Sequence, residues 1–316
     1  MPNQPDPSVV HLPIECVLRR ASITGESPVW CEREGRLYWV DVQQPALHCF
    51  DPTTGDDRHW TMPAWIGSFA LGGGAMVGRA LVALRTGLHI LEFATGAITP
   101  HVATPYDSRR FLLNEGKCDR AGRFWIGGMY HPLPPIVEGP GIAEQAPLYR
   151  LDGRELTPIS PPVSLSNGLA WSPDDRVMYH SDTNQGTVFA WDYDPADGAI
   201  ENRRVFVKFD EKGPDGAAVD RDGFYWVAMN GGGRIVRCDP EGRIEREIQM
   251  PVRYPTMCTF GGPDLDILYV TSATWALSDL EKPRAPLAGS LFAFQAPTPG
   301  FPTNRWVGEA ADGSGS

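Results

Sequence analysis

Short apolar runs with the alternation of strands recur along the chain at 37–41, 81–84, 124–127, 177–182, 225–228 and 268–271. Their starts are 44, 43, 53, 48 and 43 residues apart. Runs this short suit strands rather than helices. Turn dipeptides stand before four of them, at Glu34-Gly35, Ala121-Gly122, Asp174-Asp175 and Asp222-Gly223. Such pairs fit tight hairpins, because Gly and Asp tolerate the left-handed backbone that the turn demands. A second run follows each first, at 46–50, 87–91, 148–151, 186–191, 233–237 and 289–294. Four lead into further turns, Thr54-Gly55, Thr95-Gly96, Asp197-Gly198 and Glu241-Gly242. Each unit therefore reads strand, turn, strand, turn, strand. Helical periodicity is nearly absent, and only 275–281 suggests a single helical turn.

Six units of about 45 residues predict radial blades of four-stranded sheet around a channel. The fold class expected is all-β, a six-bladed β-propeller. The segment 14–21 has no partner of its own and is expected to add a strand to the last blade, closing the ring. A seven-bladed ring of the Trp-Asp type is the alternative, and the lack of those signatures counts against it. The organisation expected is a flexible N-terminus over 1–11, one propeller domain over 12–297, and a C-terminal extension with a flexible tail over 298–316. An insertion at 130–146, rich in Pro and Gly, reads as a loop over one channel mouth.

Composition narrows the partners. The chain of 316 residues holds 34 Gly, 30 Pro and 10 Trp, a balance that favours turns and packed sheets. A net charge of −11 without any basic run argues against nucleic acid. The six cysteines are scattered and form no C-x-x-C pair, which suggests thiols in a reducing compartment. The first residues lack the pattern of a signal peptide, and no window approaches the roughly 20 apolar residues of a membrane span. A cytoplasmic protein is expected, monomeric or weakly homo-oligomeric, with no membrane partner.

Candidate chemistry lies just before the innermost strands, where a propeller gathers residues at one channel mouth. Polar, Gly-containing motifs occupy this place in four blades: Gly25-Glu26-Ser27-Pro28, Asn114-Glu115-Gly116, Ser166-Asn167-Gly168 and Pro214-Asp215-Gly216. Asn-Gly and Asp-Gly are common turn dipeptides, so each alone reads as a turn. Recurrence at one topological position in four blades is what sets them apart. Two carboxylates with one or two amide oxygens form a hard-oxygen set suited to Ca²⁺, Mg²⁺, Mn²⁺ or a borderline Zn²⁺. Without a cation, two acids aimed at one axis would repel. No His or Cys cluster with metal spacing competes. His48 and His89 fall at matching strand positions, and His180 reads as structural. Ser27 and Ser166 lack a G-x-S-x-G elbow, Gly231-Gly232-Gly233 reads as a turn, and Cys118 beside Lys117 reads as buried.

The motifs at 25–30, 114–129, 166–172, 214–220 and 260–264 resemble, in order, those of the SMP-30/gluconolactonase/LRE family. The resemblance spans about residues 16–295. It implies a six-bladed propeller with one divalent cation held by Glu26, Asn167 and Asp215, and hydrolysis of a sugar lactone to its hydroxy acid. It also implies Asn114 beside the metal, in contact with substrate or water. Asp215 would then be both ligand and general base. Leu112 stands where family members often carry Arg, and Glu115 where Asp is usual. Gly128 replaces a Thr and Asn230 a Trp. Arg109 and Arg110 lie close to the Arg position but out of register. Asn114, Glu115 and Arg110 are accordingly the substrate-binding candidates. Leu112 favours a less hydroxylated lactone or ester. Two rival readings are another ester or phosphoester hydrolase on the same platform, and a non-catalytic cation-binding propeller.

Overall fold

The computed structural model describes residues 9–10, 12–133, 144–211 and 213–308. Within these residues the chain forms six successive four-stranded antiparallel sheets, the blades of a six-bladed β-propeller. Their innermost strands are Gly25–Cys31, Ile66–Leu71, Phe111–Cys118, Ser166–Trp171, Pro214–Val219 and Pro255–Gly261. The sixth blade is completed from the other end of the chain, where Glu15–Leu18 pairs antiparallel with Leu291–Gln295. Val9–Val10 adds a short parallel strand beside Ile244–Gln249.

The turn chemistry accounts for the hairpins. Gly35, Gly122 and Gly223 all have φ between 62° and 86°, and Asp175 takes the same left-handed conformation at 56°. The outer turns repeat this at Gly55, Gly96, Gly198 and Gly242. An L-residue with a bulky side chain would be strained at every one of these places. Residues 275–281 form successive turns, and the N–H groups of Glu281 and Lys282 both donate to Ser278 O, a single turn leading into the short 3-10 helix at Lys282–Arg284. There the Glu281 carboxylate accepts from both the backbone N–H and the hydroxyl of Ser278, as in a capping box.

The chain divides into two compact units. The first comprises residues 1–65 and 167–303 and holds blades one, four, five and six. Its core includes Trp226, Phe260, Phe292 and Phe294, with Tyr179, Tyr225 and Val227 in a neighbouring cluster. The second comprises residues 66–166 and 304–316 and holds blades two and three around Leu81, Phe124, Ile126 and Trp306. Residues 298–303 hydrogen-bond within the first unit, to Arg221, Leu265 and Glu32. Trp306 bridges to Gly72 within the second. Residues 1–8 and 309–316, parts of the expected flexible ends, lie outside the described residues, as does 134–143 of the expected channel-mouth loop.

Buried acids tie strand ends to tryptophans. Asp220 accepts from Trp226 Nε1 at 2.9 Å and from Arg237 at 2.7 Å through one oxygen. Its other oxygen accepts two backbone N–H groups of the following turn, from Asp222 and Phe224. Asp119 repeats the device in blade three with Trp125 and Arg123. No disulfide joins any of the six cysteines. We expect Asp220→Ala to lower unfolding free energy by about 3 kcal/mol, since it strips a buried guanidinium of its closest acid. Urea denaturation followed by tryptophan fluorescence measures this, and a loss below about 1 kcal/mol would contradict the role assigned to Asp220.

Candidate metal and substrate site

Five of the six inner strands share one irregularity, a break in register close to their start. In blade one the ladder runs Glu26 to Val40 and resumes at Val29 to Tyr38. Blade three jumps from Leu113 to Gly116, blade five from Pro214 to Ala217, and blade six from Pro255 to Cys258. Blade two jumps from Ile66 to Ser68. These are β-bulges, which release residues from the ladder and re-aim their side chains. The released residues are Ser27 and Pro28, Gly67, Asn114 and Glu115, Asp215 and Gly216, and Thr256 and Met257. In blade four Gly168, at the matching place, has φ 67°. The polar motifs of blades one, three and five lie at or against such a break.

Within the first unit, Glu26, Asn167 and Asp215 are each the second residue of an inner strand. Asn167 is 4% exposed and Asp215 8%, while Glu26 is half-buried. Glu26 Oε2 accepts the backbone N–H of Ser27 at 3.0 Å, and Ser27 itself has a positive φ of 48°. Gly25 is required before it, because a Cβ there would lie 2.9 Å from Ser272 O. Asn167 donates through Nδ2 to Thr183 Oγ1 at 2.8 Å, and Thr183 Oγ1 donates to Pro214 O at 2.8 Å. Asn167 is thus linked through one hydroxyl to the residue before Asp215. The inner strand of blade six packs against those of blades one and five. There Thr256 Oγ1 donates to Gly25 O at 2.6 Å, which fixes the backbone just ahead of Glu26. Thr256 occupies the bulge position that Asp215 holds in blade five, but its hydroxyl is committed to the backbone.

Within the second unit, Asn114 donates through Nδ2 to Ser166 O at 2.9 Å. Glu115 is 3% exposed and faces Lys117 Nζ at 3.6 Å. Arg110 forms an ion pair with Glu144 and lies 5.9 Å over the ring of Tyr130. Leu112 is fully buried. Gly67, the bulge residue of blade two, has no room for a side chain, since a Cβ would meet Leu113 O at 1.9 Å. Blade two therefore offers no side chain at this place, in keeping with the absence of a polar motif there.

Among the described residues, no three His, Cys, Asp or Glu side chains gather as a metal site. The donor set that fits a cation is instead two carboxylates with one amide, all hard oxygen donors on backbone held by buried hydrogen bonds. The hydroxyl residues that hold it, Thr183 and Thr256, were not legible as candidates. Thr256 could have been found by counting, because Pro255-Thr256 stands in its strand as Pro214-Asp215 does in the preceding blade.

Histidine and cysteine stay outside this chemistry. His48 pairs with Asp57 at 2.9 Å and stacks on Trp39. Burial pushes the Cys118 thiol well above its usual range, with Asp119 adding to the effect. His180, 1% exposed, is pushed down to about 4 by burial and by the positive charge of Arg203.

A six-bladed propeller with oxygen-bearing bulges on its inner strands defines a class, and comparison with known proteins specifies it. The chain belongs to the SMP-30/gluconolactonase/LRE-like family, whose profile matches residues 24–274. The 6-deoxy-6-sulfogluconolactonase of Pseudomonas putida is 37% identical over 291 residues, covering 91% of this chain and 96% of that one. The regucalcin of Xenopus laevis is 35% identical over 282 residues, covering 88% and 93%. Among solved structures, a calcium-binding regucalcin from Agrobacterium tumefaciens superposes with a TM-score of 0.86 at 24% identity, covering 95% and 99%. That last likeness speaks to the fold.

His180 yields a pH prediction. Folded, it stays neutral to about pH 4, whereas in the unfolded chain it takes a proton near its ordinary value of 6.5. Its contribution to stability is therefore complete above pH 6.5 and is lost as pH falls toward 4. The slope attributable to it reaches about 1.4 kcal/mol per pH unit. Denaturation midpoints between pH 7 and 4.5 should fall less steeply in His180→Gln than in the parent, and parallel profiles would contradict this assignment.

Proposed function

We propose that this protein is a divalent-metal-dependent lactonase, hydrolysing a sugar lactone or a related lactone to its hydroxy acid. The observation that carries the reading is the set Glu26, Asn167 and Asp215, placed alike on three inner strands in a family with named lactonases among its relatives. Those residues would hold one cation of the hard or borderline kind, Ca²⁺, Mg²⁺, Mn²⁺ or Zn²⁺. Once bound, it would supply a positive charge to polarise the lactone carbonyl and offset the charge developing on its oxygen.

The remaining chemistry belongs to the side chains. Asp215 acts as general base, taking a proton from the water whose oxygen adds to the carbonyl carbon. The bond between the carbonyl carbon and the ring oxygen then breaks, and the ring oxygen takes the proton from Asp215 to leave as the hydroxyl of the product. Asn114, whose Nδ2 donates to Ser166 O, would contact the substrate or a bound water. Arg110, paired with Glu144, is the cationic candidate for substrate contact. The burial of Glu115 and its pairing with Lys117 support a role in holding the Asn114 bulge. Leu112, apolar where the family resemblance implies an Arg, would favour a substrate with fewer hydroxyls than gluconolactone.

A second reading has one specific support. Leu112 in place of the Arg that the resemblance implies is what a propeller binding a metal without turnover would tolerate. A cytoplasmic setting accords with cysteines that form no disulfide.

Turnover on a panel that includes gluconolactone and xylonolactone, followed by pH-stat, is expected to vanish with chelator and return with metal. Asp215→Ala should lower kcat by at least about 100-fold. Glu26→Gln should weaken metal affinity while leaving the fold intact by circular dichroism. Metal binding with no turnover across the panel would favour the non-catalytic reading, and product analysis would expose ester or phosphoester hydrolysis.

A further inference from the structure

Beside the candidate ligands lies a small buried relay that the sequence did not single out. Thr183 follows the second strand of blade four, Val177–Asp182, and is buried. Its hydroxyl stands 2.8 Å from Asn167 Nδ2 and 2.8 Å from Pro214 O. Its backbone carbonyl accepts the N–H of Gly213 at 3.1 Å. One residue therefore touches both the strand that carries Asn167 and the segment leading into Asp215.

The proton count in this relay admits a single arrangement. A backbone carbonyl can only accept, so the one hydroxyl proton of Thr183 goes to Pro214 O. The hydroxyl then has only lone pairs to offer Asn167. The amide must face it with nitrogen, and its oxygen must point the other way. Were the amide reversed, two oxygens with no proton between them would meet at 2.8 Å in a buried site. Ser181 Oγ also donates to Pro214 O, at 3.1 Å, so that carbonyl stays satisfied whichever hydroxyl is removed.

The geometry points to Thr183 as a positioning residue that fixes the Asn167 amide with its oxygen presented as a ligand, and so sets the affinity of the site for a divalent cation. This rests on the metal reading above. It adds that Asn167 is a ligand by virtue of a neighbour: the Pro214 carbonyl, acting through Thr183, dictates which end of the amide is shown. Outer partners that orient ligands in this way commonly change metal affinity by 10- to 100-fold.

The test uses the full chain stripped of metal, titrated calorimetrically with Mn²⁺ and with Ca²⁺, alongside the melting temperature of the stripped form. Thr183→Val keeps the branched shape and removes the hydroxyl, and its affinity should fall by about 10- to 100-fold. Thr183→Ser restores the hydroxyl and should return affinity to within about threefold of the parent. Ser181→Ala removes a donor to Pro214 O without touching Asn167, and should bind as the parent does. If Thr183→Val does not yield folded protein, Thr183→Cys, a weaker partner of similar volume, should show the same loss on a smaller scale. Parental affinity in folded Thr183→Val, or in Thr183→Cys, would overturn the inference while leaving the metal reading intact. A parent protein that takes up neither ion would overturn both. Equal losses in Thr183→Val and Ser181→Ala would locate the effect in Pro214 and also overturn it.

Discussion

Strand pairing runs out near the start of the inner strands, and the candidate chemistry depends on that failure. A regular ladder would commit each residue there to an alternating side of the sheet, with its backbone paired on schedule. The bulges suspend the schedule for one or two residues. Asp215 and Asn114 lie within such breaks, and Glu26 is the last paired residue before one. Glycine enables this at close range. A Cβ on Gly216 would meet Met257 at 2.2 Å, and one on Gly168 would meet Tyr225 Oη at 2.5 Å. The motif glycines therefore let backbone and neighbouring side chains approach while the residue before them is re-aimed.

Burying carboxylates and amides is costly unless their partners are fixed. This protein meets the requirement with hydroxyls directed at the backbone. Thr256 holds the carbonyl of Gly25, while Thr183 and Ser181 both hold that of Pro214. In each case the carbonyl held belongs to the residue immediately before a candidate ligand. The backbone directly ahead of Glu26 and Asp215 is thereby satisfied within the protein. Elsewhere the same economy of buried acids serves packing alone, in the ties from Asp119 to Trp125 and from Asp220 to Trp226.

Much of this was legible from the chain. The blade period, the left-handed turn residues and the closing N-terminal strand follow from patterns that local sterics enforce, and such patterns survive in a single sequence. The four polar motifs were visible because they repeat at one place in the blades. Thr183, Ser181 and Thr256 were not. A threonine beside a strand is ordinary in sequence, and its importance comes from a proton it gives to a carbonyl some thirty or more positions away.

The central claim is that Glu26, Asn167 and Asp215 share one cation. Anomalous diffraction from crystals of the full chain soaked in Mn²⁺ addresses it directly. The account predicts one strong peak with an oxygen of each of the three residues within about 2.0–2.6 Å. A peak coordinated by other side chains, or crystals that take up no ion while these three oxygens stand too far apart to share one, would contradict it.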